Sequence, residues 1–183
     1  DTTLNVSSEH TLFTSIEKLN NGLGNKRTTR NKDLLLNYSV DEIDVSTLDG
    51  AIKATDISLK YSNATTSSYK YDEENNYYLR SVNNKAHTDY VTKEQYHFKN
   101  IIVYQVRNYD LNDGSGKGRQ ELENIGSGQG YYISDGYAVP INWSKSSRSE
   151  QTKYTLLNGE ELQVNDGNTF IQIVPTSGKV TIG

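Results

Sequence analysis

The 183-residue chain has no cysteine, no methionine, two prolines and one tryptophan. Without cysteine it forms no disulfide, holds no zinc–thiolate centre and offers no thiol nucleophile. Without methionine it has no initiator residue, so Asp1 is expected to follow processing or cleavage of a longer chain. No apolar run approaches the roughly 18 residues that a membrane-spanning helix needs. Any membrane contact is therefore expected through a lipid anchor upstream of this chain. Charge of one sign is scarce too: 19 Lys and Arg face 23 Asp and Glu, for a net charge of −4. Nucleic-acid surfaces draw affinity from clustered basic residues that release counterions. No such cluster occurs, and nucleic acid is not expected as a partner.

What is present is tyrosine. Apolar residues make up 33% of the chain, with 14 tyrosines among them, and the mean hydropathy is −0.76. A core built from so few aliphatic residues must use tyrosine rings, which bury an apolar body and keep a polar tip satisfied. That suits strands with one face toward solvent.

Apolar residues at Leu12, Phe13, Ile16, Leu19 and Leu23 recur at helical steps, predicting one helix near residues 12–22. Thr14 or Ser15 is placed to cap it, and Gly22 and Gly24 to end it. A basic polar stretch follows at 25–32. From about residue 52 the period changes to two: Ile57, Leu59 and Tyr61, then Tyr69 and Tyr71, then Tyr77 to Arg80 after a turn of Asp, Glu and Asn. Ile101 to Val106 is the most apolar run and reads as a central strand. Asp135-Gly136 and Asn158-Gly159 mark hairpins, and Pro140 argues for an edge or bulge. The expected fold is mainly β, an antiparallel sheet or meander with hairpins plus one or two short helices, α+β overall. Residues 1–51 read as the remnant of an N-terminal domain with a linker, and 52–183 as the β domain. The Leu12–Leu19 stripe is expected to bury against that domain.

Chemistry-bearing residues are sparse. His87 and Asp89 lie two apart on a strand, about 7 Å by the strand rise, where Asp89 would orient the ring for acid–base work. No Gly-x-Ser-x-Gly elbow supports a serine nucleophile. Asp110, Asn112 and Asp113 resemble a calcium loop, but counted from Asp110 the glycine falls fifth instead of sixth, so no metal site is expected and these three stay as calcium candidates only. The glycine runs 114–118 and 126–130 lack the Gly-Lys-Ser/Thr ending of a phosphate loop and read as turns or bulges. No cofactor is expected. Arg80, Trp143 and Lys145 complete the candidate ligand-binding set: arginine and lysine for carboxylate or phosphate oxygens, the single tryptophan for a rim. If a site exists, these three should meet His87 and Asp89. Trp143 shares a strand face with Ile141, so a buried Ile141 would mean a buried Trp143.

The segment GSGQGYYISDGYAVPINWSK (126–145), followed by TKYTLLNGEELQVNDGNTFIQIVP (152–175), resembles the C-terminal half of the YerB-like lipoproteins of Gram-positive bacteria. YKYDEENNYYLRS (69–81) and Lys85 through Val103 fit the same pattern in order, and EHTLFTSIEKL (9–19) resembles the end of that family's N-terminal domain. Phe170 stands where the family often has Trp, a change expected to touch packing alone. The resemblance implies an extracytoplasmic, lipid-anchored protein and no reaction. Together these readings predict a binding or structural module at the cell envelope with a cell-wall or envelope ligand, and an enzyme only as the lesser alternative: an envelope hydrolase using carboxylates or His87.

Overall fold

The computed structural model describes residues 14–23 and 34–183. The chain divides into two compact units, Asp1–Asp33 and Leu34–Gly183. In the first, helix α1 spans Ile16–Leu23. Ser15 caps it, its hydroxyl accepting from Lys18 N at 3.2 Å. Ile16, Leu19 and Leu23 are exposed. Leu12, Phe13 and Gly24 lie outside the described residues.

The second unit has sixteen strands: β1 (Asn37–Tyr38), β2 (Ile52–Lys53), β3 (Asp56–Lys60), β4 (Thr66–Asp72), β5 (Tyr77–Val82), β6 (Lys85–Ala86), β7 (His97–Phe98), β8 (Asn100–Val106), β9 (Asn108–Asp110), β10 (Gln120–Leu122), β11 (Gly126–Ser134), β12 (Tyr137–Lys145), β13 (Lys153–Leu156), β14 (Gln163–Val164), β15 (Thr169–Pro175) and β16 (Lys179–Ile182). Sheet one runs β13-β12-β11-β8-β15, with β2 also on β12; sheet two runs β16-β3-β4-β5-β6, with β7 also on β5. The mainly β expectation holds. Most pairs are antiparallel, but β15 lies parallel to β8, and β1 parallel to β14.

Alternation explains the layering. Ile101 and Val103 of β8 join Ile133, Ala138 and Val174 in facing Ile57, Leu59, Tyr69 and Tyr78 of sheet two. Ile102, Tyr104 and Val106 point the other way, to Tyr132, Ile141, Trp143 and Tyr154, and this face is covered by Leu36, Val45, Leu162 and Val164. Strand β8 carries the unbroken apolar run Ile101–Tyr104 because both its faces are covered. The expected boundary at residue 52 therefore falls inside the unit: Leu36 and Val45 are core residues, drawn in because sheet one's second face needs a lid.

Turn chemistry followed the sequence. Asp135 and Gly136 have φ of 50° and 78°, as a type I′ hairpin between β11 and β12 requires. Pro140 lies in the stretch of β12 that neither β2 nor β13 pairs, so its missing N–H costs no ladder bond. The glycines of 126–130 leave room for aromatic rings: a Cβ on Gly128 would sit 2.8 Å from Trp143 Nε1, and one on Gly130 2.8 Å from Tyr104 Cβ. The Tyr104 and Trp143 rings pack 4.9 Å apart.

Candidate functional site

Arg80 sits on β5 opposite Tyr69 of β4. Tyr69 is buried in the inter-sheet core, so alternation turns Arg80 inward as well. From sheet one, β15 brings Phe170 and Gln172 to the same edge of the sandwich. The guanidinium lies over the Phe170 ring at 5.3 Å, and Phe170 stacks on Phe98 at 4.5 Å. Tyr61, just after β3, donates to Gln172 Oε1 at 2.6 Å. Phe170 thus packs between the Arg80 guanidinium and the Phe98 ring.

All of Arg80's partners are neutral. Its Nε donates to the Tyr69 hydroxyl at 3.3 Å, its Nη2 to the Ser67 hydroxyl at 3.1 Å, and its Nη1 to His87 Nδ1. Three of the five guanidinium N–H groups are used in this way, leaving two donors and a half-buried charge with no carboxylate partner among the described residues. The tyrosines do not neutralise it. Burial pushes the Tyr61 hydroxyl up to about 12, and Tyr69 is raised by burial too, so both stay protonated at neutral pH.

His87 receives the Arg80 bond because β5 and the 86–97 hairpin are laced together. His87 N donates to Arg80 O at 3.1 Å, and Arg80 N to Tyr96 O at 2.9 Å. The His87 and Tyr96 rings lie 4.7 Å apart. Accepting from Arg80 at Nδ1 places the ring proton on Nε2. Burial and then the neighbouring Arg80 charge hold the His87 pKa below its ordinary value. The expected His87–Asp89 dyad does not form. Asp89 Oδ1 accepts from Val91 N and Thr92 N, each at 2.8 Å, and Oδ2 from Tyr96 OH at 3.1 Å. These bonds, the backbone ones foremost, keep its carboxyl below the usual range. Asp89 serves as a turn residue, because two backbone amides in the next turn reach it first.

The five expected site residues do not converge. Arg80, His87 and Asp89 are linked through Tyr96. Trp143 is buried beside Ile141 on the sheet-one face turned away from sheet two, and Lys145 Nζ, at the end of β12, donates to Glu150 O. The calcium candidates fall on a two-stranded hairpin, β9 with β10. There Asp113 pairs with Arg119 at 2.8 Å, Asp110 accepts from Gln120, and Asn112 has positive φ. Among the described residues no group of three His, Cys, Asp or Glu could hold a metal.

A second polar cluster escaped the sequence reading. Asn165 Oδ1 accepts from Ile43 N at 2.7 Å, and its Nδ2 donates to Ile43 O at 3.1 Å and to Asp135 Oδ2 at 2.8 Å. Tyr132 OH donates to Asn100 Oδ1 at 2.8 Å and accepts from Asn165 N at 2.9 Å. Lys99 Nζ lies 2.5 Å from Asp135 and 2.7 Å from Glu42; burial lowers its pKa, but the two carboxylates outweigh burial and the net shift is upward. The donors and acceptors pair with one another, so the cluster locks residues 42–43 and 165 onto the β11–β12 turn. Arg80 differs in having donors and charge to spare.

Residues 57–171 match the family described as "Protein of unknown function (DUF3048) C-terminal domain". The fold is similar to the crystal structure of the YerB protein from Bacillus subtilis, at 18% identity and a TM-score of 0.62, over 80% of this chain and 46% of that one. The chain thus spans about half the length of the YerB chain. No curated protein sequence matches it.

Proposed function

The chain belongs to the family defined by the DUF3048 C-terminal domain, and from that premise we propose that it is a binding module whose ligand presents a carboxylate or phosphate oxyanion to Arg80. One observation carries this reading: an inward-facing guanidinium with two unused donors and only neutral partners. A half-buried charge without a counter-charge is costly. An oxyanion seated between Arg80 and His87 would remove that cost and use the free donors in the forked geometry that arginine favours. Phe170 and Phe98 supply an apolar wall for the carbon skeleton that bears the anion.

The module acts outside the cytoplasm, in a protein anchored by a lipid upstream of this chain. The sequence resemblance to YerB-like lipoproteins supports that placement. No described helix is long and apolar enough to cross a membrane. The hydrolase alternative gains no support, because His87 faces a cation and Asp89 faces a turn.

The experiment is an NMR titration of the domain with glutarate and, separately, inorganic phosphate, following the Arg80 Nε–H and His87 imidazole signals. At least one anion should shift both signals and raise Tm by mass action, and Arg80→Lys should abolish both effects. The reading fails if neither anion moves these signals, or if Arg80→Lys binds as the parent does.

A further inference from the structure

Strand β15 ends sheet one beyond β8, and among the described residues no other strand pairs with it. Two bonds at its ends fix how its backbone faces. Asn100 N donates to Asn168 O at 3.1 Å, and Thr176 N donates to Val106 O at 2.9 Å. In a parallel pair, alternate residues turn both N–H and C=O to the same neighbour. Phe170, Gln172 and Val174 therefore bond β8, while Thr169, Ile171 and Ile173 turn their N–H and C=O groups outward. Among the described residues no backbone group meets these three from the outer side. Ile171 O has instead the side-chain amide of Gln172 at 3.4 Å, the far end of the useful range.

Sheet edges are ordinarily blunted by shortness, charge, proline or a bulge, because an open row of N–H and C=O groups recruits another strand. The other outer strands follow that rule. Strands β13, β16 and β6 have four, four and two residues, and each begins with lysine. Strand β15 has seven residues, no charged side chain, and proline only at its last position. Its open edge also lies beside the spare charge described above: Phe170 points toward sheet two, and the Arg80 guanidinium lies over that ring at 5.3 Å.

The edge and the charge together select the occupant. Donors and acceptors that recur at every second residue match the backbone of an extended peptide. A strand added there lies about 4.8 Å beyond β15, and every second side chain of it faces sheet two, level with Phe170. A carboxylate at such a position meets the two unused Arg80 donors in a charge-assisted bond. A second copy of this chain pairing edge to edge brings no such group, since β15 carries no carboxylate and the Arg80 charge would stay unmet. We propose, building on the oxyanion reading of Arg80, that the anion belongs to an extended acidic peptide that adds to β15 as a further strand. Backbone pairing with Thr169, Ile171 and Ile173 supplies the hold, and Arg80 selects an acidic side chain at one position.

The test uses the whole chain with a capped heptapeptide of alternating threonine and valine that carries one central glutamate, and with its glutamine counterpart. With the glutamate peptide at about ten times its Kd, hydrogen exchange at the Thr169, Ile171 and Ile173 amides should slow about tenfold. The Phe170 and Gln172 amides, already bonded to β8, should change little. The glutamine peptide should bind about tenfold more weakly, as expected for loss of one charge-assisted bond, and Arg80→Lys should bring the glutamate peptide down to that level. Two N-methylated glutamate peptides, each blocking one alternate set of amides, isolate the backbone contact: the set facing β15 should abolish binding and the other should not. Peptide pairing on β15 is refuted if the glutamate peptide protects none of the three amides, if the glutamine peptide binds as well, if both N-methylated peptides bind like the parent, or if the domain dimerises and protects the same amides without peptide. If glutarate shifts Arg80 while the peptide leaves β15 unprotected, peptide pairing fails and the anion site stands; if neither acts, both fail.

Discussion

Gly130→Ala should be among the most damaging glycine-to-alanine changes in the domain. Gly130 lies on β11 opposite Tyr104 of β8 in the middle of sheet one. A Cβ there would stand 2.4 Å from Val103 O and 2.8 Å from Tyr104 Cβ. Both neighbours belong to a strand buried on both faces, and one is backbone, so no side chain can swing aside. Strands β8 and β11 must part, stretching the ladder bonds on either side. Overpacking of this kind costs about 1–3 kcal/mol, and each ladder bond weakened adds up to about 1 kcal/mol. Alanine's smaller freedom in the unfolded chain returns about 0.4–1 kcal/mol. The net expectation is a loss of about 2–4 kcal/mol, which in a protein of this size lowers Tm by about 5–15 °C. Gly128→Ala is the graded control. Its Cβ would meet only the Trp143 indole, which can tilt, so the loss should be about 1 kcal/mol with a changed Trp143 fluorescence. Calorimetry on the three proteins decides. If Gly130→Ala melts with the parent, or if Gly128→Ala is the worse of the two, the reasoning from strand separation is wrong.

Asn165→Ala should remove the residue that ties Ile43 to Asp135. With Ile43's amide and carbonyl left unpaired, at about 1–3 kcal/mol per orphaned group, urea unfolding should show a loss of several kcal/mol; an unchanged midpoint would mean that residues 42–43 are held by apolar contacts alone. His87 should titrate below its ordinary value of 6.5, because burial and Arg80 disfavour its charged form. The sign follows from linkage: with the folded pKa depressed, the unfolded chain binds more protons just below pH 6.5, so stability falls as pH drops through that window. In His87→Gln this slope should vanish, and in the parent anion affinity should rise on acidification as a second positive charge joins Arg80. An imidazole midpoint at or above 6.5 in the NMR titration would refute both.

Much of the fold was legible because strand alternation and turn chemistry are local. Ile57, Leu59 and Tyr61 were assigned to one period-two face; Ile57 and Leu59 are buried and Tyr61 packs partly buried against the same cluster. Asp135-Gly136 announced its hairpin through the φ > 0 that both residues must adopt. The apolar run Ile101 to Val106 announced a central strand, and β8 lies between β11 and β15 in sheet one. The shared face of Ile141 and Trp143 also warned that Trp143 would be core if Ile141 was. The cap at Ser15 was readable from residue type and spacing alone.

The candidate site was legible only in pieces. Arg80 and His87 were named from residue type, but their neighbours Ser67, Tyr69 and Phe170 were not. Phe170 lies 90 positions from Arg80 and reaches it because β15 pairs in parallel with β8, a crossover that no local pattern encodes. Asp89 looked like a partner for His87 at strand spacing, yet two backbone amides within the next turn claimed its carboxylate. Residues 1–51 read as an N-terminal remnant with a linker, because Leu36 and Val45 within them are isolated apolar residues whose burial depends on a sheet face formed far along the chain. By itself, then, the sequence determined which segments alternate, where the chain turns and that tyrosine would fill the core, since each depends on neighbours a few residues away. Only the tertiary structure decided which charges are paired, which glycines carry aromatic rings and which strand edge stays open, because those depend on pairings between segments that the local pattern does not constrain.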